Sequence, residues 1–240
     1  MKYLYFHLRE YLFPSGCGVC KNILFDKEDA YYGLCVECRS FLSSALAEGE
    51  RCDLCGKLLI SEKERCLSCR KIEGSISYSE QIVKLKALFP YTGKFKTVLG
   101  AFKFGKSLGV GNFLADSLCK SLEDFVKERD MVLVPVPPRP GKIKKQGWDQ
   151  NEYLAKRLGS IGAYPLKRCL KRLRSRSQKE LNRKEREENL KGRIICTKKP
   201  PKDVILFDDV VTTGATLNAC ATALLEGGTK TVYAICLFYD

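Results

Sequence analysis

The apolar positions of this 240-residue chain follow two alternating periods over its last two thirds. Val204–Phe207 is a run of four apolar residues closed by Asp208 and Asp209, the pattern of a buried strand. A Thr/Gly turn follows and opens a helix over Thr216–Glu226, which Gly227 and Gly228 stop before a further strand, Thr231–Phe238. Met131–Val136 reads as another buried strand. Ahead of it, Phe113, Leu114, Leu118, Leu122, Phe125 and Val126 recur at helical spacing within Gly111–Arg129, a core stripe. Gln81–Phe89 alternates apolar and basic residues as a strand does. Tyr91-Thr92-Gly93 then turns into a helix reaching about Lys103-Phe104-Gly105. Gln146–Asn151 opens a helix that carries Leu154, Ala155 and Leu158 on one face. Strands alternating with helices predict an α/β fold, a parallel sheet covered on both faces.

Two loops then leave the carboxyl ends of strands, where open α/β sheets bind ligands. One is Pro135–Gln150, stiffened by Pro135, Pro137, Pro138 and Pro140 and rich in Arg139, Lys142, Lys144 and Lys145. The other is Asp208–Thr216, with paired acids followed by Thr212, Thr213, Gly214, Ala215 and Thr216 at a helix start. Hydroxyls and backbone N–H groups at such a start favour an anion, and a glycine lets the main chain approach it. A basic loop facing an acidic one suits a substrate with pyrophosphate at one end and ribose hydroxyls at the other.

The net charge of +14 sharpens this picture because of where it lies. Residues 1–77 hold 11 basic and 11 acidic residues, so residues 78–240 carry the whole excess. About half of it falls in Lys167–Lys191, with 11 basic and 4 acidic side chains. Such a field attracts polyanions. No run of eighteen apolar residues is present, so no membrane span is expected. Met1–Pro14 reads as a short amphipathic helix without the apolar core of a signal peptide, and a cytoplasmic protein is expected. The only histidine is His7, which removes a Ser-His-Asp type of catalysis.

Eight of the thirteen cysteines form four C-x-x-C pairs: Cys17/Cys20, Cys35/Cys38, Cys52/Cys55 and Cys66/Cys69. Gaps of 14, 13 and 10 residues separate them. Each pair points two thiolates at one tetrahedral metal, so two structural Zn²⁺ ions are expected. Sequential pairing joins the first knuckle to the second and the third to the fourth; an interleaved pairing stays open. Cys119, Cys169, Cys196, Cys220 and Cys236 sit among apolar residues and read as small buried hydrophobes. The cysteines end near Ser75–Glu80, which divides the chain into a double zinc-ribbon module, 1–77, and a second domain, 78–240.

The stretch D-D-V-V-T-T-G-A-T resembles the PRPP-binding signature of type I phosphoribosyltransferases. In that family the acidic pair holds the ribose hydroxyls and the following loop wraps the 5′-phosphate. The order of features along the whole chain goes further. Four cysteine knuckles precede Y-T-G with K-F-G, a P-V-P loop with G-W-D-Q, then R-S-R-S-Q-K-E-L-N-R-K-E-R-E-E-N-L-K-G and the acidic signature. In this order the chain resembles the ComF family of ComFC/GntX-type phosphoribosyltransferase-like proteins. The resemblance implies a type I phosphoribosyltransferase-like sheet behind a small zinc-ribbon domain.

It also implies roles for particular residues. Asp208 and Asp209 would bind ribose, directly or with Mg²⁺, and Thr212–Thr216 the 5′-phosphate. Arg139 and the Pro137–Lys145 loop would meet pyrophosphate. The family's R-G-F-N-Q reads Gln146-Gly147-Trp148-Asp149-Gln150 here, so Lys144 or Lys145 stands in for its arginine. Arg172, Arg174, Arg176, Gln178 and Arg183 fall in a basic flap that would close over the site. Purine-salvage relatives often carry an acid at the position of Thr212, and its absence weakens a purine-transferase reading. Members of the family are implicated in uptake of transforming DNA, which makes PRPP, single-stranded DNA and other DNA-uptake proteins the expected partners. Two alternatives to a transferase remain: a PRPP-sensing regulator, and a single-stranded DNA-binding adaptor.

Overall fold

A computed structural model describes residues 15–46, 49–52, 57–70, 81–125, 130–161, 164–174 and 189–240. The expected helix at Met1–Pro14 and the boundary at Ser75–Glu80 lie outside the described residues. At the centre is a parallel sheet of four strands in the order β1-β6-β5-β2, formed by β1 (Lys84–Pro90), β2 (Val132–Pro135), β5 (Asp203–Val211) and β6 (Thr231–Tyr239). The sequence places all four. It stops β5 at Phe207, however, whereas the ladder to β6 runs on through Val210↔Phe238 and Val211↔Tyr239. Asp208 and Asp209 are therefore strand residues, held in pleated backbone rather than in a turn.

Alternation along the strands sorts the core into two layers. Ile205, Phe207, Ile235 and Leu237 face one way; Val204, Leu206, Val232, Ala234 and Cys236 face the other. The first layer is covered by α4 (Gly93–Lys103), α5 (Leu108–Phe125) and α7 (Gln150–Ile161). On the second lie α8 (Ala215–Glu226) and a two-stranded antiparallel ribbon, β3 (Leu170–Arg172) with β4 (Ile194–Cys196). That ribbon has no counterpart in the sequence reading, because three-residue strands carry too short a pattern to register. A short helix, α6 (Lys142–Gln146), likewise forms within the basic run between Gly141 and Gly147, both in left-handed backbone. Cys169, Cys220 and Cys236 are fully buried and Cys119 nearly so; Cys196 is half-buried. They pack as small hydrophobes.

The cysteine module is built as a repeat. Its first half has an isolated antiparallel bridge Gly16↔Ile23 at the Cys17 knuckle, then α1 (Lys27–Tyr32), and Cys35 at the start of α2 (Val36–Ser44). Its second half has the bridge Arg51↔Leu58 at Cys52, and Cys66 immediately before α3 (Leu67–Arg70). The turn bonds repeat as well: Cys17 N–H to Asn22 O at 2.7 Å, and Cys52 N–H to Lys57 O at 2.8 Å.

The two halves meet opposite faces of the sheet. Cys17, Leu34, Cys35, Cys38 and Leu42 join the core layer of α5, while Cys52, Leu59 and Cys66 join the layer of α8. Arg51 donates to Ala87 O of β1 at 2.7 Å across the edge between them. The module thus straddles edge strand β1 and shields a margin that would otherwise offer unpaired backbone groups.

Close backbone contact seats α5 on the first knuckles. Gly33 ends α1 in left-handed backbone at φ 59°, and a Cβ placed on Gly109 would lie 2.6 Å from its amide nitrogen. No side chain fits there. We expect Gly109→Val to lower stability by about 1–3 kcal/mol, as overpacking does, without altering the zinc content per chain. Urea titration beside zinc analysis checks this; unchanged stability would mean the contact is loose.

Candidate functional site: a buried carboxylate pair above a phosphate-sized cradle

β5 delivers Asp208 and Asp209 to the carboxyl edge of the sheet, only 8% and 7% exposed. Two adjacent carboxylates in so dry a place need donors and a counter-charge. Both come from elements that pack on the same face. Lys103, the last residue of α4, places Nζ 2.9 Å from Asp209 Oδ2. Gln150 at the start of α7 donates its Nε2 to the same oxygen. The neighbouring Asn151 donates to Asp208 Oδ1 at 2.8 Å, and the Asp209 N–H donates to that oxygen at 2.9 Å. A further link runs outward: Lys142 Nζ lies 2.6 Å from Asp149 Oδ2 and donates to Gln150 Oε1. Asp149 in turn accepts the Glu152 N–H at 3.1 Å, capping the first turn of α7.

These partners give the two acids opposite characters. Burial, with the Asp209 charge beside it, pushes the Asp208 carboxyl up to about 7. Burial also acts upward on Asp209, yet Lys103 and the bond from Gln150 hold its carboxyl below the usual range. The pair therefore carries one proton near neutral pH, on Asp208, and one negative charge, on Asp209, balanced by Lys103.

Beyond the acids the chain turns sharply. Gly214 caps α8 in left-handed backbone at φ 72°, where a side chain would be strained. Thr213 Oγ1 accepts the Ala215 N–H at 3.4 Å. Asp208, Val210–Thr213, Gly214 and the first turn of α8 line a cavity of about 40 Å³. The start of α8 supplies positive potential to that space.

Adjacency of β2 and β5 brings the second loop alongside. Val136 N–H donates to Phe207 O at 2.9 Å, so Pro137–Gly141 emerges one residue from Asp208. Arg139 is exposed on that loop. Lys144 and Lys145 are also exposed, on α6, and the lysine of this run that bonds to the site is Lys142. Arg172, expected in a flap, is instead the last residue of β3, paired with Ile194 and 7% exposed. Strand pairing fixes it. Arg174 follows as an exposed residue, and Arg176, Gln178 and Arg183 lie outside the described residues.

Lys103, Gln150 and Asn151 are the site residues that sequence reasoning missed. They sit in or directly beside the K-F-G and G-W-D-Q stretches used for the family resemblance, but nothing local marks them as partners of acids 57 to 106 residues away.

The metal centre is separate. The Sγ atoms of Cys17, Cys20, Cys35 and Cys38 all lie within 4.8 Å of one another, with Cys20 and Cys35 Sγ 3.6 Å apart. This is a closed tetrahedral thiolate set, the donor chemistry of a structural zinc. The first knuckle pairs with the second, so pairing is sequential here and the interleaved alternative is ruled out. Cys52 and Cys66 are buried; Cys55 and the Cys69 side chain lie outside the described residues.

Comparison with known proteins agrees with this layout. The double zinc ribbon domain matches residues 8–70. Competence protein ComFC of Bacillus subtilis is 29% identical over 81% of this chain and 79% of its own length. Competence protein F of Haemophilus influenzae is 27% identical over 92% of this chain and 95% of its own. Among solved structures, a purine phosphoribosyltransferase from Pyrococcus horikoshii shares 18% identity over 53% of this chain and 80% of that one, with a TM-score of 0.32. A zinc-ribbon module joined to a parallel α/β sheet defines the class. Along most of its length the chain is similar to the competence proteins ComFC and F.

One consequence of the site's electrostatics concerns pH. Because the folded Asp208 holds its proton more tightly than an unfolded aspartate, this group lowers stability as pH rises from about 4 to about 7. Asp208→Asn keeps an Oδ1 acceptor for Asn151 and removes the titration. The mutant is expected to be the more stable protein at about pH 8, with the difference shrinking toward about pH 5. Thermal unfolding of the ligand-free protein across that range measures it, and a gap that widens on acidification would contradict the assignment.

Proposed function

We propose that this protein binds PRPP with Mg²⁺ at the β5–α8 turn and acts as a phosphoribosyltransferase-like protein serving natural competence. The observation that supports this most is the buried Asp208–Asp209 pair running directly into the 212–216 cradle, within reach of donors from α4 and α7. In this reading the cradle takes the 5′-phosphate, the acids take ribose hydroxyls, and Arg139 with Lys142, Lys144 and Lys145 provides the positive field for pyrophosphate.

The donor set fits a hard divalent ion, since Asp208 and Asp209 offer only oxygen. When bound, Mg²⁺ supplies charge neutralisation to the pyrophosphate leaving group. The chain's own residues do the positioning. Lys103 and Gln150 fix the Asp209 carboxylate, and Asn151 fixes Asp208, so the ribose would be held without reorganisation as its C1 bond breaks through an oxocarbenium-like state. Transfer to an acceptor, and a basic flap with Arg174, Arg176, Gln178 and Arg183 that excludes water, complete the enzymatic version of the proposal. The names of the relatives, Competence protein ComFC and Competence protein F, support a place in competence, and with it the handling of single-stranded DNA alongside other uptake proteins. No helix among the described residues is long and apolar enough to cross a membrane. We place the protein in the cytoplasm on the chemistry of its thiolates, which need a reducing compartment.

Calorimetric titration of PRPP with Mg²⁺ at fixed salt tests the site. Saturable binding is expected for the wild type, weakened by at least about tenfold in the Asp208→Asn/Asp209→Asn double mutant. A folded, zinc-replete wild type that ignores PRPP would remove both the transferase and the regulator, leaving a DNA-binding adaptor. A steep salt dependence of oligonucleotide binding, indifferent to PRPP, would be that adaptor's signature.

The repeated architecture of the cysteine module supports a second structural zinc, held by Cys52, Cys55, Cys66 and Cys69. Two zinc ions per chain are expected by metal analysis, falling to one in Cys52→Ser. A single zinc in the wild type would refute the second site.

A further inference from the structure

Gln150 sits between two opposite charges, and its amide can serve both in one orientation alone. On one side Lys142 Nζ donates to its Oε1; on the other its Nε2 donates to Asp209 Oδ2. Turned over, the amide would set its oxygen against a carboxylate and its NH₂ against an ammonium. The flip is therefore fixed by charge from both ends, and each bond in the chain is charge-assisted. Lys103 meets the same Asp209 oxygen at 2.9 Å, so that carboxylate is gripped between α4 and α7.

Lys142 itself comes from an outlying segment. It is the first residue of α6, whose five side chains are all at least partly exposed. Gly141 at φ 79° and Gly147 at φ 76° flank the helix, in left-handed backbone that glycine adopts without strain. Lys142 ties one end of α6 to the start of α7, through Asp149 Oδ2 and Gln150. At the other end Lys106 Nζ donates to Gln146 O at 3.0 Å. The Asp149 side chain is 2% exposed and that of Lys142 18%, so this ammonium is seated in the protein. Lys144 and Lys145, on the same helix, point their charge into solvent as exposed residues.

We infer that Lys142 is a positioning residue for the acid pair: it orients the Gln150 amide and, through it, the Asp209 carboxylate. This rests on the PRPP reading above and deepens it. As one more cation of its loop, Lys142 would act on the pyrophosphate end; through Gln150 it acts on the ribose end without touching the ligand. The seating of α6 and the orientation of Asp209 are then a single event.

The test uses full-length, zinc-replete protein and begins without ligand. Lys142→Met is combined with Asp149→Asn, which removes the charge that the lysine would leave stranded and keeps an oxygen for the Glu152 N–H. Nuclear magnetic resonance follows the Gln150 side-chain NH₂ protons, identified by their loss in Gln150→Leu. They are expected to exchange slowly with solvent in the wild type, and at least about tenfold faster in the double variant. Asp149→Asn alone, and Lys142→Arg, which keeps a donor to Oε1, should retain the protection. Equal exchange in the wild type and the double variant would overturn the assignment.

Calorimetric titration of PRPP with Mg²⁺ reads the consequence. The Lys142→Met/Asp149→Asn variant and Gln150→Leu should each weaken binding at least about fivefold, and their combination no more than the stronger of the two, because both cut one chain of bonds. Losses that add would mean that Lys142 acts on the ligand directly, and would overturn the assignment. Gln150→Leu leaves the Lys142–Asp149 ion pair in place and reports even if the lysine variant fails to fold; unchanged affinity there also overturns the proposal. Wild-type protein that binds no PRPP would bring down the functional reading, and amide protection would then judge the role of Lys142 by itself.

Discussion

Two neighbouring carboxylates inside the sheet set the terms for the rest of this molecule. Asp208 and Asp209 leave water at the edge of β5, and an unpaired charge there would cost several kcal/mol. The fold answers with an ammonium from the end of α4 and two amides from the start of α7. Those helices therefore cannot slide along the sheet without stranding a charge. The ends of α4 and α7 and the β5–α8 turn are tied into one arrangement, and the site is rigid for the same reason that it is affordable.

The asymmetry between the acids follows from that arrangement. Lys103 reaches only Asp209, so one carboxyl is held ionised while burial makes its neighbour a weak acid. Without ligand the pair is close to neutral together with Lys103. A divalent ion and a polyhydroxyl would replace a proton and a short-range ion pair rather than fill an open anionic hole. Arg172, at the end of β3, is the reverse case, a buried guanidinium whose Nε and Nη2 have no hydrogen-bond partner among the described residues.

The zinc module is part of this design rather than an appendage. Its two halves enter the two core layers of the sheet and clasp strand β1 between them. A small cysteine module has too few large apolar side chains to build a core of its own. Thiolate–metal bonds rigidify the knuckles, and Gly33 against Gly109 lets α5 seat on them without side chains in between. Metal binding thereby stabilises the sheet's edge as well as the module.

The sequence by itself determined the elements whose information is local. Long apolar runs, helical stripes and glycine stops gave the four sheet strands and the four long helices to within a few residues. The spacing of Cys17, Cys20, Cys35 and Cys38 gave the first zinc set, and the D-D-V-V-T-T-G-A-T stretch gave the turn. What it could not show is anything whose partner lies far along the chain. Lys103 and Asp209 are separated by 106 residues, and the pattern around each looks like an ordinary helix end and an ordinary strand. Arg172 read as one more member of a basic run, because charge density is visible in sequence and burial is not. Only the packing of the β3–β4 ribbon on α8 took that guanidinium out of water. Likewise the pairing of the knuckles stayed open until the chain brought four sulfurs within 4.8 Å. Local sequence sets backbone preference and residue chemistry; which charges are desolvated, and by whom they are met, is settled when distant segments pack.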